Sequence, residues 1–313
     1  MLSPNANNFE HPADVMRAVL DLCASGKRAA LAIVMSTLGG SVRAPGAMMA
    51  ISQEGDMLGY VSGGCIDQDV ALRARQALKD SQPKALKYGI GSPFLDIRLP
   101  CGGAIDVIVL PDPDPSVLES LVALLEARQP AVLTVCNTRL SVGANQEAGT
   151  VTFTYSPKLK LRIAGRGADP VALVRLAAAS GIATELWSPE EICLDQVRDL
   201  GAVTRHLIQS EALPDPDDDT QTAFVLMFHD SEWEPALLEN ALSGKAFYIG
   251  AVGSRETHRR RCEMLSARGV SAAAIDRIHA PIGLIPSMRE ASSLAVSAFA
   301  EIVSEFHSKL AAG

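Results

Sequence analysis

Apolar and polar positions follow two different rhythms along the chain. In the first half, residues 14–25 place Val15, Val19 and Leu22 on one helical face and stop at Gly26. The unbroken apolar run 29–35 predicts a buried strand. Residues 47–51 and 57–61 flank Glu54-Gly55-Asp56, a hairpin signal. A helix over 66–78, strands over 84–88 and 104–110, and a helix over 117–127 follow, and two further strands over 131–137 and 150–155 are expected to pair. In the second half, strands at 160–164, 184–187, 203–207, 223–228 and 246–252 alternate with helical segments. The first of these helices spans 169–180 and the chain's closing helix 290–308. That alternation predicts a parallel sheet covered on both faces. The expected fold is therefore α/β: an N-terminal mixed α/β domain over 1–157 and a C-terminal Rossmann-like domain with a parallel sheet over 158–313.

Composition narrows the function classes. With 313 residues, either half is long enough to bury its own core. The net charge of -8 argues against nonspecific binding to nucleic acid or to an anionic membrane. No apolar run reaches the length of a membrane span, and the first residues lack a basic and then apolar leader, so the cytoplasm is the expected compartment. Six cysteines are scattered without a CxxC pair, which disfavours structural zinc and a disulfide framework. Cys23, Cys136, Cys193 and Cys262 lie in apolar periodic segments and read as packing residues. The acidic run Pro214-Asp215-Pro216-Asp217-Asp218-Asp219 reads as a solvated loop.

The other two cysteines are flanked by glycine: Ser62-Gly63-Gly64-Cys65 and Cys101-Gly102-Gly103. Glycine lets backbone approach a ligand closely. Cys65 precedes a predicted helix, whose free amides favour a thiolate, while the Asp67 charge opposes one. The plainer readings are a tight turn at Cys65 and a bend before a strand at Cys101. The loop Gly39-Gly40-Ser41-Val42-Arg43 combines exposed amides with Ser41 and Arg43, a combination that suits an oxyanion, or it is a connection with one solvated arginine. Gly165-Arg166-Gly167 follows a strand and opens a helix, as a dinucleotide fingerprint does, but Pro170 stands at the third glycine. Ser188 stands near the place of the ribose-binding acid, and Glu185 comes too early for it. His229-Asp230 is expected at a strand's carboxyl end, as a ligand-facing pair or a loop brace. In Gly253-Ser254-Arg255, Ser254 can cap a helix while Arg255 and open amides hold a phosphate. Of Arg259, Arg260 and Arg261, at least one is expected in solvent.

Taken together, GGSVRAPGAMM, GYVSGGCIDQDV, LPCGGAIDVIVLP, LRIAGRGADP, AFYIGAVGSRETHRRR and HAPIGL resemble the xanthine dehydrogenase accessory protein family of the XdhC/CoxI type, over most of residues 28–285. The resemblance implies a chaperone rather than a catalyst. It would bind molybdenum cofactor (molybdopterin), protect its sulfurated form and deliver it to a xanthine dehydrogenase or aldehyde oxidase-type molybdoenzyme apo-subunit. A cysteine desulfurase and a second copy of the chain are the further partners it implies. The family's cofactor-binding cysteine is carried onto Cys101 first and Cys65 second, as molybdenum ligands, with Gly63, Gly64, Gly102 and Gly103 beside them. Ser41, Arg43, Gly165, Gly167, Ser254 and Arg255 are the accompanying candidates for the anionic ends. Three places depart from the family pattern: Asp67 for a glutamate, His229-Asp230-Ser231 for a motif with two histidines, and Ile285–Arg289 for a glycine-rich run. The competing readings are an NAD(P)-dependent oxidoreductase and a scaffold that recruits the desulfurase.

Overall fold

Pro12 opens α1 (Pro12–Ala24), and the His11 imidazole accepts the Ala13 amide at its start. The apolar run that follows forms β1 (Ala29–Leu38), the central strand of a five-stranded antiparallel sheet in the order β3-β2-β1-β5-β4. Its other members are β2 (Met48–Ser52), β3 (Met57–Gly59), β4 (Lys84–Gly89) and β5 (Ala104–Pro111), with α2 (Asp67–Asp80) between β3 and β4. α3 (Pro115–Glu126) is capped by Asp114, whose carboxylate accepts the Ser116 amide at 2.9 Å. β6 (Ala131–Cys136), β7 (Arg139–Val142) and β8 (Thr150–Tyr155) make a smaller antiparallel sheet. The predicted pairing of β6 with β8 is present; β7, short and mostly exposed, was not expected. This is the computed structural model of the chain, and it describes residues 10–40, 43–90, 102–145, 147–210, 213–228 and 232–312.

Strand alternation sorts the first core into two layers. Leu31, Ile33, Met48 and Leu110 face α1, α3 and the small sheet. Ala30, Ala32, Val34, Met49 and Val107 face α2, whose Val70, Ala71, Ala74 and Ala77 allow close approach.

The chain divides at 157/158 into two compact units, Met1–Pro157 and Lys158–Gly313. In the second unit β9 (Lys160–Gly165), α4 (Ala168–Ala179), β10 (Ala183–Ser188), α5 (Glu191–Arg198) and β11 (Val203–His206) alternate. β12 (Thr222–Met227), α6 (Glu234–Ser243), β13 (Tyr248–Ala251), α7 (Arg255–Ala267), α8 (Ala272–Ile275), β14 (Ile278–His279) and α9 (Ala291–Ala312) complete it. The six strands are all parallel, in the order β11-β10-β9-β12-β13-β14. This is the Rossmann strand order, with the switch between β9 and β12. The predicted alternation is present; β14, two residues long, was not expected. One face packs on α4, α5 and α9 through Ile163, Val174, Leu194 and Ala298. The other packs on α6 and α7 through Phe224, Leu226, Leu237 and Leu265. No helix among the described residues is long and apolar enough to cross a membrane.

Arg162 lies in the middle of β9 with its side chain fully buried. Its guanidinium sits 4.7 Å from the Trp187 ring and 4.3 Å from that of Phe224, and donates to Asp218 Oδ1 at 2.8 Å and Oδ2 at 2.5 Å. Nη1 reaches Asn240 Oδ1 at 3.1 Å. This corrects the reading of the acidic run as solvated at one position: Asp215 and Asp217 are exposed, but Asp218 is drawn inside because a buried guanidinium needs a counter-charge. The Asp218→Asn variant leaves Arg162 as a buried, uncompensated cation. It is expected to cost about 3–5 kcal/mol, read as a shift of the second unit's urea transition; an unmoved midpoint would show that the pair is dispensable.

Candidate functional site

Antiparallel register gathers the glycine loops of the first unit at one end of its sheet. Leu38 and Gly89 both pair with Ala104, so the end of β1, the end of β4 and the start of β5 lie side by side. Met49 pairs with Gly59 and Ile33 with Met48, which brings the start of β2 and the end of β3 toward the same end. The segments after Leu38, after Gly59 and before Ala104 therefore leave the sheet together. Gly103 is pressed between two of its neighbours: a Cβ at Gly89 would lie 2.0 Å from the Gly103 oxygen, and one at Gly39 3.3 Å from its Cα. Both positions require glycine. The Arg43 guanidinium stands 5.9 Å from the Tyr60 ring and pairs with Glu10, linking the first loop to the Cys65 loop.

The Cys65 loop is folded around one carboxylate. Asp67 Oδ1 accepts the Val61 amide at 2.9 Å and the Ser62 amide at 3.0 Å. Its Oδ2 accepts the Ser62 hydroxyl at 2.6 Å and the Gly64 amide at 2.8 Å. Ser62 Oγ in turn accepts the Ile66 amide at 3.2 Å. Asp67 is buried, whereas Gly63, Gly64 and Cys65 are exposed. The carboxylate turns inward, taking loop amides that burial would otherwise leave unmet. Gly64 has a φ of 100° and Gly102 one of 66°, and a Cβ on either would meet nothing within 4 Å among the described residues. Leu38, Tyr60 and Ile90 are exposed around these loops. Cys101 and Ser41 lie outside the described residues, as do His229, Asp230 and Ser231.

The second unit's glycine turn is closed from within. The Gly167 amide donates to Glu190 Oε2 at 3.1 Å and approaches Cys193 Sγ at 3.2 Å, and the Cys193 thiol lies 3.1 Å from the same carboxylate oxygen. Burial pushes the Cys193 thiol up, and its hydrogen bond to Glu190 adds to the shift. Gly165 is required because a Cβ there would sit 2.7 Å from the Met227 oxygen. Ser188 is buried, and its hydroxyl accepts the Glu190 amide at 3.1 Å. Glu185 is bound to Trp187 Nε1, Arg205 and Lys160, all structural contacts. Glu190 was missed by sequence reasoning; the available signal was a carboxylate at a helix start directly after the ribose-acid position. Ser254 caps α7, accepting the Thr257 amide at 3.0 Å. Arg259 and Arg260 are exposed and pair with Glu256, while Arg261 is buried. Among the described residues no cluster of three or more His, Cys, Asp or Glu side chains forms a metal cage.

Residues 161–302 match the XdhC Rossmann domain family, and residues 22–89 match the XdhC and CoxI family. The molybdenum cofactor insertion chaperone PaoD of Escherichia coli (strain K12) is 32% identical over 299 residues, 93% of this chain and 87% of that protein. A solved structure described as a xanthine dehydrogenase from Bacillus halodurans superposes with a TM-score of 0.78 at 21% identity, covering 95% of this chain and 96% of that one. At that identity the likeness is one of fold.

Two outcomes test the geometry. The Asp67→Ala variant leaves three amides and a hydroxyl without their acceptor. It is expected to destabilise the first unit by on the order of 3 kcal/mol and to speed amide exchange at Ser62 and Gly64; unchanged exchange would show that the carboxylate does not hold the loop. Exposed Cys65 is expected to alkylate at pH 8 roughly tenfold or more faster than Cys193, whose raised pKa keeps it a thiol. Peptide mass spectrometry reads the order, and labelling of Cys193 first would contradict the Glu190 contact.

Proposed function

The chain belongs to the XdhC and CoxI family, and from that membership we propose that it binds molybdenum cofactor as its cargo and hands it to a molybdoenzyme apo-subunit. The observation that carries the reading is the 32% identity, over 93% of the chain, to a molybdenum cofactor insertion chaperone. The first unit's site is compatible with such a cargo. An exposed thiol at Cys65, held on a loop organised by Asp67, offers a soft donor to a soft metal. Gly102, adjacent in sequence to Cys101, has no described neighbour within 4 Å of where a Cβ would stand, which is compatible with a bulky head group there. Arg43 is already paired with Glu10, so it is an anion ligand only if that pair opens.

The finer steps belong to the same proposal. The cargo is the sulfurated cofactor, the recipient is of the xanthine dehydrogenase or aldehyde oxidase type, and a cysteine desulfurase and a second copy of this chain are the partners. Binding and shielding need no bond-making by the protein. Release follows if the recipient binds the cargo more tightly than this chain does, since a partner shifts an equilibrium only through differential affinity. Glu190 on the Gly167 amide weighs against the oxidoreductase reading, because it occupies the place of a dinucleotide's pyrophosphate.

The test is an anaerobic titration of molybdenum cofactor against the wild type, Cys65→Ala and Cys101→Ala, with NADH in parallel. Wild-type binding that falls at least tenfold in one folded cysteine variant supports the reading and chooses the thiol. Tight NADH binding without cofactor binding would overturn it.

A further inference from the structure

Two glycine turns of the second unit open helices at the carboxyl edge of the parallel sheet, where such folds hold ligands. The first, at α4, has its amide occupied by Glu190. The second, Gly253-Ser254-Arg255 at α7, contrasts with it in four respects. The Ser254 cap takes the Thr257 amide and the Ser254 carbonyl takes that of His258, so the Arg255 and Glu256 amides stand at the helix mouth. The Glu256 carboxylate is held by Arg259 and Arg260 on the flank of the helix. Arg255 is exposed, and its side chain has no ion pair or hydrogen bond among the described residues.

The fourth respect is Arg261. It is 2% exposed; its Nε donates to Glu234 at 3.1 Å and its Nη2 to the Val252 carbonyl at 2.9 Å. Nη1 is buried and has no hydrogen-bond partner among the described residues. A Cβ at Gly253 would lie 3.7 Å from Nη2, so the guanidinium sits directly beneath the turn. A buried donor without an acceptor costs about 1–3 kcal/mol, and an arginine fork matches phosphate oxygens. Burial, and after it the Arg261 charge, hold His258 below the ordinary imidazole range.

We propose that the Gly253-Ser254-Arg255 turn, with Arg261 beneath it, is a phosphate-binding site, and that the second unit takes a phosphate-bearing ligand at α7 rather than at α4. The turn amides and the α7 dipole receive the phosphate oxygens, Arg255 closes over them, and Arg261 Nη1 supplies the buried donor. The site does not involve the cysteine loops, so its test with simple phosphates is separate from that of the cysteine variants.

The experiment titrates the full chain with inorganic phosphate, pyrophosphate, ADP and NADH at constant ionic strength, by calorimetry and thermal shift. Pyrophosphate or ADP is expected to bind and to raise the melting temperature, and Arg255→Ala is expected to weaken that binding at least tenfold without moving the unliganded melting temperature. Arg261→Met is expected to weaken binding as well, but also to lower the unliganded melting temperature, because it leaves the buried Glu234 carboxylate unpaired; should it fail to fold, the exposed Arg255 decides alone. ADP binding more tightly than pyrophosphate identifies a nucleotide as the source of the phosphate, and equal binding identifies the phosphate alone. No binding beyond that of chloride, or equal binding by wild type and Arg255→Ala, would overturn the site.

Discussion

A backbone amide withdrawn from water must find an acceptor, and this constraint separates the glycine turns at Ser62–Gly64, Gly167 and Gly253. Glycine allows the sharp bend but leaves the amides pointing into it. At Ser62–Gly64 the chain supplies its own acceptor, Asp67, four hydrogen bonds deep. At Gly167 it supplies Glu190. At the mouth of α7 no carboxylate takes the turn amides among the described residues: Glu256 is held by Arg259 and Arg260, and Glu234 by Arg261. Three similar turns thus differ in chemistry according to where one carboxylate falls.

The scaffolds aim these turns by different means. In the antiparallel sheet, register brings the ends of β1, β3 and β4 and the start of β5 to one edge, so loops distant in sequence share one surface. In the parallel sheet, the crossovers return every strand in the same direction, so the Gly165–Gly167 and Gly253 turns both open at the carboxyl edge. The parallel sheet also carries an ion pair, Arg162 with Asp218, sandwiched against Trp187 and Phe224. Its value lies in registering the loop before β12 against the centre of β9, since either charge alone would be unstable there.

The rhythm of apolar residues determined the elements and the fold class. Runs such as 29–35 and 223–228 have no polar position to accommodate an alternative, and the strand–helix alternation of the second half admits little but a parallel sheet. Short pieces escaped this reading: β7 and β14 are too short, and in β7 too exposed, to carry a periodic signal. The motifs naming the family were likewise legible, because glycine and cysteine at fixed spacing are local properties of the chain.

What a given carboxylate or guanidinium does was decided only by tertiary structure. Asp67 read as a charge opposed to Cys65 and is the acceptor that folds its loop. Asp218 read as solvated and is buried against Arg162. Glu190 drew no attention and fills the fingerprint turn, while Arg261, one of three consecutive arginines, is the buried one. Sequence specifies that a charge exists. Its partner is chosen by which backbone passes within about 3 Å once the core has closed, and that distance is a product of packing between segments far apart in the chain.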